Sequence, residues 1–435
     1  MKMRAKIFMI LGALLATLLA TAQQSWTLQQ CVDTAWANNR NVKQQALTRK
    51  SREISYQQAR QNLLPNLNAS ANQGWNFGRS LNVNNTYQNT NSSQTSFGIS
   101  SGLTLFDGLK MKYNIDAKKA DMLASDADLE KMKQDLATYV ASGFLQILQN
   151  KELLQIAVDQ LELTKTKTEQ RKSLVEAGKL AEGELFDLLA QQSKEEMNRL
   201  KAENTYKLSL LDLAQMLELD HFEDIVLVVP ESLSDLELQV LTPETVFQSA
   251  LTHRPEIKGA QYKLHSSEIN VNIAKSDFYP TLNLGAQYGT GYYNLSNIPN
   301  NTFGKQLNDN MSAGINLNLQ IPIFNKYDVR NRVRTAQIGV ESNKLNMDNA
   351  KLELKKTIQQ AYYNATSAKS RWDAAQKSEI AGREAYRFTN QKYEAGRATV
   401  YELYQSKSTL TQVLSEGVQA KYEYIFRVKL LEYLK

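Results

Sequence analysis

The chain offers few side chains for metal or covalent chemistry. His221, His253 and His265 are scattered, and no two stand at a metal-ligand spacing. Cys31 is alone, so neither a C-x-x-C pair nor an internal disulfide is available. There is no glycine loop of the kind that cradles phosphates. His253 and His265 read as helix-surface residues, and the many Lys/Glu pairs at helical spacing read as solvated helix faces. No catalytic set, metal or cofactor is expected. What remains is architecture, and the question is what such elements position.

The 435 residues are 42% hydrophobic and 22% charged, with mean hydropathy −0.46. Lys2, Arg4 and Lys6 precede an apolar run over 7–20 and an Ala20-Thr21-Ala22 cleavage pattern, so residues 1–22 read as a secretory signal peptide. Without them 48 basic residues face 45 acidic ones, a balance that gives no reason to expect nucleic acid. Leu28-Gln29-Gln30-Cys31 lies past the apolar run, with glutamines where a lipoprotein signal wants small residues. Cys31 therefore reads as an ordinary residue of the first helix. Nothing beyond the leader approaches the roughly 20 apolar residues of a membrane-spanning helix.

Seven prolines leave two long tracts without one, 66–229 and 323–435. Over 109–177 apolar residues recur at steps of three and four among Lys, Gln, Glu and Ala, which predicts one continuous helix. About 70 residues make roughly 100 Å at 1.5 Å per residue, too long for a small globule. Leu403, Leu410, Gly417, Tyr424 and Leu431 repeat every seven residues, with Val413 and Ala420 between them, a coiled-coil seam. The small Gly417 and Ala420 suggest close helix approach.

Two other segments are almost free of charge. Residues 61–106 carry only Arg79, and 278–325 only Lys305 and Asp309. Both alternate: Leu67, Ala69 and Ala71 against asparagine and serine, then Phe97, Ile99, Leu103 and Leu105; later Leu282, Leu284, Ala286 and Tyr288, then Met311 to Ile323 at every second position. Four strands of about ten residues, apolar on one face and polar but uncharged on the other, match transmembrane β-strands, over about 65–107 and 280–324. Trp75, Phe77, Phe106, Tyr279, Tyr292, Tyr293 and Phe324 cluster near the strand ends, as an interfacial aromatic girdle requires. An ordinary half-buried sheet would put Lys and Glu on its wet face.

A repeat organises these elements. The ten residues from Ala59 to Asn68, with Pro65 at the strand start, recur 215 positions on from Ala274 to Asn283, with Pro280. Glu176-Ala177-Gly178 recurs as Glu394-Ala395-Gly396, and Glu184-Leu185 as Glu402-Leu403, both 218 positions on. The expected organisation is a first helix–strand–strand–helix–helix repeat over 23–218, a linker over 219–242 and a second repeat over 243–435. Four strands cannot close a barrel against lipid, and a single-chain barrel needs at least eight. Further copies of the chain must complete it, with cyclic symmetry.

In these features the sequence resembles the TolC-like outer-membrane efflux protein family. The carriers are the L-L-P-N-L-N and F-Y-P-T-L-N strand starts, Leu105-Phe106-Asp107-Gly108 and Ile321-Pro322-Ile323-Phe324 leaving the strands, and the two E-A-G turns. The resemblance covers essentially the whole mature chain. It implies a mixed α and β membrane protein: a homotrimer with a twelve-stranded barrel in outer-membrane lipid and a periplasmic α-barrel of antiparallel coiled-coil helices. It implies an exit duct for tripartite efflux or type I secretion, with a periplasmic adaptor (membrane fusion) protein and an inner-membrane pump of RND or ABC type as partners.

The resemblance also implies a constriction at the periplasmic tip. The matching positions are Glu402 in the second half and Glu184, with Asp187 nearby, in the first; Gln405 stands where a second acid is common. Carboxylates gathered by threefold symmetry would favour cations. Gly178 and Gly396 read as left-handed helix ends, and Lys179 and Arg397 follow them as contacts for neighbouring helices or an adaptor. A trimeric coiled-coil surface or envelope-spanning protein without a transport role is the alternative. It would put strands at one terminus, not twice inside the chain.

Overall fold

The structure is a computed structural model and describes residues 25–81, 85–220, 225–228, 242–296 and 299–434. The signal peptide, His221 and most of the 219–242 linker lie outside the described residues. In chain order the elements are β1 (Ser25–Trp26), α1 (Leu28–Asn38), α2 (Arg40–Gln61), β2 (Asn68–Asn76), β3 (Arg79–Leu81), β4 (Tyr87–Asn89), β5 (Ser92–Phe106), α3 (Lys110–Glu176) and α4 (Glu182–Leu217). Then follow β6 (Val226–Leu227), α5 (Pro243–His253), α6 (Pro255–Ser276), β7 (Thr281–Leu295), α7 (Phe303–Asp309), β8 (Ser312–Gln320), α8 (Asp328–Glu394) and α9 (Val400–Leu434).

The chain divides into two compact units that do not follow the sequence halves. Of the described residues, those within 25–46, 128–257 and 351–434 form one unit and those within 47–127 and 258–350 the other. Each half contributes to both, because α3 and α8, 67 residues each, run from one unit into the other.

The first unit is helical. Phe144, Ile147, Leu148, Leu213 and Leu217 are fully buried with Cys31, Ala35, Tyr422 and Ile425, so α1, α3, α4 and α9 share one core. Burial among these apolar neighbours pushes the Cys31 thiol up to about 12, so it is an inert core residue. Trp36 donates its indole N–H to the Lys133 carbonyl at 2.9 Å, satisfying its one polar atom. The linker contributes a strand: β6 pairs in parallel with β1, Ser25 with Val226 and Trp26 with Leu227, which carries Ile225 and Leu227 into the core.

Along the α9 seam Leu403, Leu410 and Tyr424 are buried. The close approach, however, is not at Gly417, where an added Cβ would come no nearer than 3.4 Å to Glu379. It is at Gly382 of α8, where an added Cβ would stand 2.7 Å from Val413. Val413 is β-branched and stiff, so the partner helix supplies the missing volume.

The second unit is built around a sheet of order β2-β5-β7-β8, antiparallel throughout. The register stacks like on like. Ala69, Ile99, Tyr288 and Ala313 form one apolar row; Leu103, Leu284 and Leu317 form another. Between them run polar rows such as Asn68, Ser100, Gln287 and Gly314. A bulge between Thr104 and Phe106 brings Phe106, not Leu105, opposite Leu282 and shifts the alternation expected at Leu105.

Candidate functional site

Two regions hold the residues singled out above: the helix turns of the first unit and the sheet of the second. The turn after α3 is a Schellman motif. The Lys179 N–H reaches back to the Leu174 carbonyl at 2.9 Å and the Gly178 N–H to Val175 at 2.8 Å, with Gly178 at φ +69°. The turn after α8 repeats it: Arg397 to Lys392 at 2.8 Å, Gly396 to Tyr393 at 3.0 Å, and Gly396 at φ +70°. Only glycine adopts this conformation without cost. Nothing lies within 4 Å of a Cβ built at either position, so Gly178→Ala and Gly396→Ala should each cost about 1 kcal/mol and no more. Denaturant titration of the purified protein checks this; a larger loss would mean a neighbour at the turn.

The helices leaving the two turns begin differently. Glu402 is engaged in a capping box. Its carboxylate accepts from the Thr399 backbone N–H at 2.7 Å and the Thr399 hydroxyl at 3.0 Å, while its own N–H donates to that hydroxyl at 3.2 Å. These bonds hold its carboxyl below the usual carboxylate range. At the matching turn Ala181 provides no side-chain cap, and Glu182 and Glu184 sit in the first turn of α4 instead. Their charges favour the helix N-terminus through its dipole. Gln405 and Asp187 are exposed. Lys179 and Arg397 are exposed beside their glycines, and neither forms an ion pair among the described residues.

Behind the turns, contacts tie α3 to α8. The Arg171 guanidinium lies 4.4 Å from the Tyr393 ring centre, a cation–π contact. Lys167 donates to Asn390 at 2.5 Å, and Asn390 to Glu394 at 2.8 Å. Burial pushes the Lys167 ammonium down, opposed by the Glu394 charge. Burial raises the Tyr393 phenol, opposed by the Arg171 charge, and the Glu184 charge raises it further.

Deeper in the same unit is a pair that sequence reasoning missed. Lys407 and Glu195 have side chains only 5% and 9% exposed and meet at 2.8 Å. The ammonium also donates to the Gln160 carbonyl at 2.9 Å and to the Thr164 hydroxyl, so all three of its protons are used. Gln191 donates to Glu195 at 2.8 Å. One cation therefore links α3, α4 and α9. The reading of Lys/Glu pairs as solvated faces holds for neighbours such as Lys344–Glu341, but fails here. No spacing could reveal it, because the partners are over 200 residues apart.

In the second unit Pro280 directly precedes β7, and Pro65 stands three residues before β2. Between Pro65 and β2, the Asn66 side chain accepts from Gly102 N–H at 2.7 Å, extending the ladder. Phe106, Tyr279 and Phe324 lie at the end of the sheet where helices attach, all exposed. Trp75, Phe77 and Tyr293 are exposed at the other end, where Tyr292 packs edge-on against Phe303 of α7 at 5.1 Å. Ile315, at 82% exposure, and Leu317, Leu319 and Ile99 leave the apolar face uncovered in the single chain. Among the described residues the outer strands β2 and β8 each have one partner, so both edges are open.

Among the described residues no group of three acidic, His or Cys side chains could hold a metal, and no helix is long and apolar enough to cross a membrane. His253 accepts or donates locally within α5, and His265 lies exposed near Glu268.

The second unit thus carries an open-edged sheet with an uncovered apolar face, and the chain has two helices of 67 residues each. A family model described as "Outer membrane efflux protein" matches residues 31–218 and 246–431, and the chain belongs to that family. Among curated proteins it is similar to Protein CyaE of Bordetella pertussis, 24% identical, over 68% of this chain and 62% of that one. It is also similar to Toxin and drug export protein A of Aggregatibacter actinomycetemcomitans, 22% identical, over 92% of this chain and 83% of that one. Among solved structures, the Campylobacter jejuni CmeC outer membrane channel shares its fold, with TM-score 0.78 and 18% identity over 94% of this chain and 85% of that one. The chain thus spans just under two thirds of the CyaE length. Its cellular place is the outer membrane.

Proposed function

We propose that the chain is one of three identical protomers of an outer-membrane exit duct, a passive passage serving a tripartite efflux or type I secretion system. The observation that carries this reading is the sheet β2-β5-β7-β8, apolar and uncovered on one face and open at both edges. Open edges are not tolerated in lipid, and four strands from each of three chains give a closed barrel of twelve. The chain is read as a tandem duplication. In support, the helices pair by length across the halves: 11 residues in α1 and α5, 22 in α2 and α6, and 67 in α3 and α8. A periplasmic adaptor and an inner-membrane pump of RND or ABC type would complete the system, as the export proteins it resembles suggest. Extracted from outer membranes with detergent, the protein should migrate as an oligomer that heating converts to monomer. Recovery as a soluble periplasmic monomer would overturn the reading.

The tip turns are read as the narrowest point of the duct, with Glu402, Glu184 and Asp187 presenting carboxylates and Gln405 a neutral ring. Glu402→Gln separates charge from fold, because glutamine serves the capping box as well. Single-channel recordings should show reduced cation selectivity with α9 unaltered; unchanged selectivity would remove Glu402 from the constriction. The pH dependence has a definite sign. Thr399 depresses the folded pKa, so the cap contributes fully above the ordinary carboxylate value. That contribution is lost as pH falls through the depressed value.

A further inference from the structure

We propose that the junctions between strands and helices in the second unit form a basic collar that binds the phosphate headgroups of anionic phospholipids on the periplasmic face of the membrane. The proposal rests on reading the sheet as membrane-spanning. Residues 60–67, 107–112, 274–280 and 321–334, which flank the strands at this end, hold eight Lys and Arg against three Asp. Each of the three acids is already engaged. Asp277 binds Lys110 at 2.7 Å and Arg332 at 2.5 Å, Asp328 binds Arg332 at 2.8 Å, and Asp107 accepts from the Met111 N–H at 2.9 Å. Lys112, Lys275, Lys326, Arg330 and Arg334 are exposed and form no ion pair among the described residues. Lys275 and Arg334 share a groove with Glu268 and Glu341.

Exposed apolar side chains accompany the cations at every junction: Leu64 near Arg60, Phe106 and Leu109 before Lys112, Tyr279 after Lys275, Phe324 and Tyr327 around Lys326. Phe324 and Tyr327 pack edge to face at 5.8 Å. Aromatic rings settle at the level of lipid headgroups, and a cation a few residues away reaches the phosphates. The far end of the sheet has no such excess. Residues 77–91 carry only Arg79, and 296–311 only Lys305 and Asp309. The asymmetry assigns the basic end to the leaflet whose lipids bear accessible anionic phosphate. A cation near an anionic surface favours binding roughly fivefold, and salt weakens the effect.

The test uses the full mature protein, reconstituted into phosphatidylcholine vesicles with and without phosphatidylglycerol. Conductance is recorded in both, and bound lipid is read by native mass spectrometry after re-extraction. Wild type should retain phosphatidylglycerol above its share of the mixture. The triple variant Lys112→Gln, Lys326→Gln, Arg330→Gln should lose about two orders of magnitude of that preference, at roughly fivefold per cation. Lys165→Gln, Lys172→Gln, Lys377→Gln, with the same charge removed from other helix surfaces, should keep it. Equal lipid ratios in wild type and the triple variant, with conductance intact in pure phosphatidylcholine, would overturn the collar and leave the duct standing. An equal loss in the control variant would also overturn it. Failure of wild type to conduct in any vesicle would overturn the duct and the collar together.

Discussion

Lys407→Met should open the helical unit locally, with amides of α4 around Glu195 and of α9 around Lys407 exchanging two to three orders of magnitude faster. The substitution keeps the length and apolar stem of lysine but leaves the Glu195 carboxylate buried with only Gln191 as a donor. Removing one partner of a buried pair costs about 3–5 kcal/mol, which at 1.4 kcal/mol per tenfold sets the expected acceleration. The pair itself is not a large source of stability, since both ions must be desolvated. Burial pushes the Lys407 ammonium down even though Glu195 pulls it up. The double variant Lys407→Met, Glu195→Met should therefore recover most of the loss. Hydrogen exchange on all three proteins distinguishes this from simple loss of packing, in which the double variant would be worse than either single one.

Gly108→Ala should be the most damaging small substitution in the sheet-bearing unit. Gly108 stands at φ +68° and Leu109 follows at φ +69°, two left-handed residues in succession where β5 turns into α3. An alanine Cβ would lie 2.6 Å from the Ser276 carbonyl oxygen and 2.8 Å from the Tyr279 Cβ. The first of these is backbone at the end of α6, next to the Asp277 that Lys110 and Arg332 grip, so it has little room to yield. Backbone strain of about 1–2 kcal/mol adds to an overpacking cost of about 1–3 kcal/mol. The yield of detergent-resistant oligomer should fall accordingly. Gly339→Ala makes the contrast: it lies inside α8 with nothing within 4 Å of the added Cβ, and should gain up to about 1 kcal/mol from helix propensity. Equal behaviour of the two variants would refute the account.

What the sequence disclosed follows from which interactions are local. The long helix expected over 109–177 runs Lys110–Glu176, because period and composition act residue by residue. The strands were legible because alternation is their own property, and the E-A-G turns because a helix end needs its glycine within a few positions. The Thr399-x-x-Glu402 box was present in the sequence, yet Glu402 drew attention as an acid in a bore, not as a cap. The breaks after Asn38 and before Pro255, which split each first helix in two, needed more than period. Asn39 accepts from the backbone of Asn41 and Val42 and so restarts the helix. Three features lay beyond any local pattern: the β1–β6 pairing, the Lys407–Glu195 link and the replacement of Gly417 by Gly382 as the point of close approach. Each depends on residues brought together from distant parts of the chain. The compact units were hidden for the same reason, since helices that belong to both leave no composition shift at the boundary.

The central pair of the sheet, β5 with β7, unites Ser92–Phe106 with Thr281–Leu295, and β1 waits for β6. This imposes an order in time. A chain emerging from its N-terminus can complete the β2–β5 hairpin and wind α3 and α4 early. Its first strand nevertheless stays without a partner until some two hundred further residues have arrived, and the full sheet until almost three hundred have. Contacts so distant make for slow assembly, and for that interval the apolar strands stand bare in water. For the membrane-spanning sheet proposed above, insertion into lipid is expected only after the last strand has been delivered.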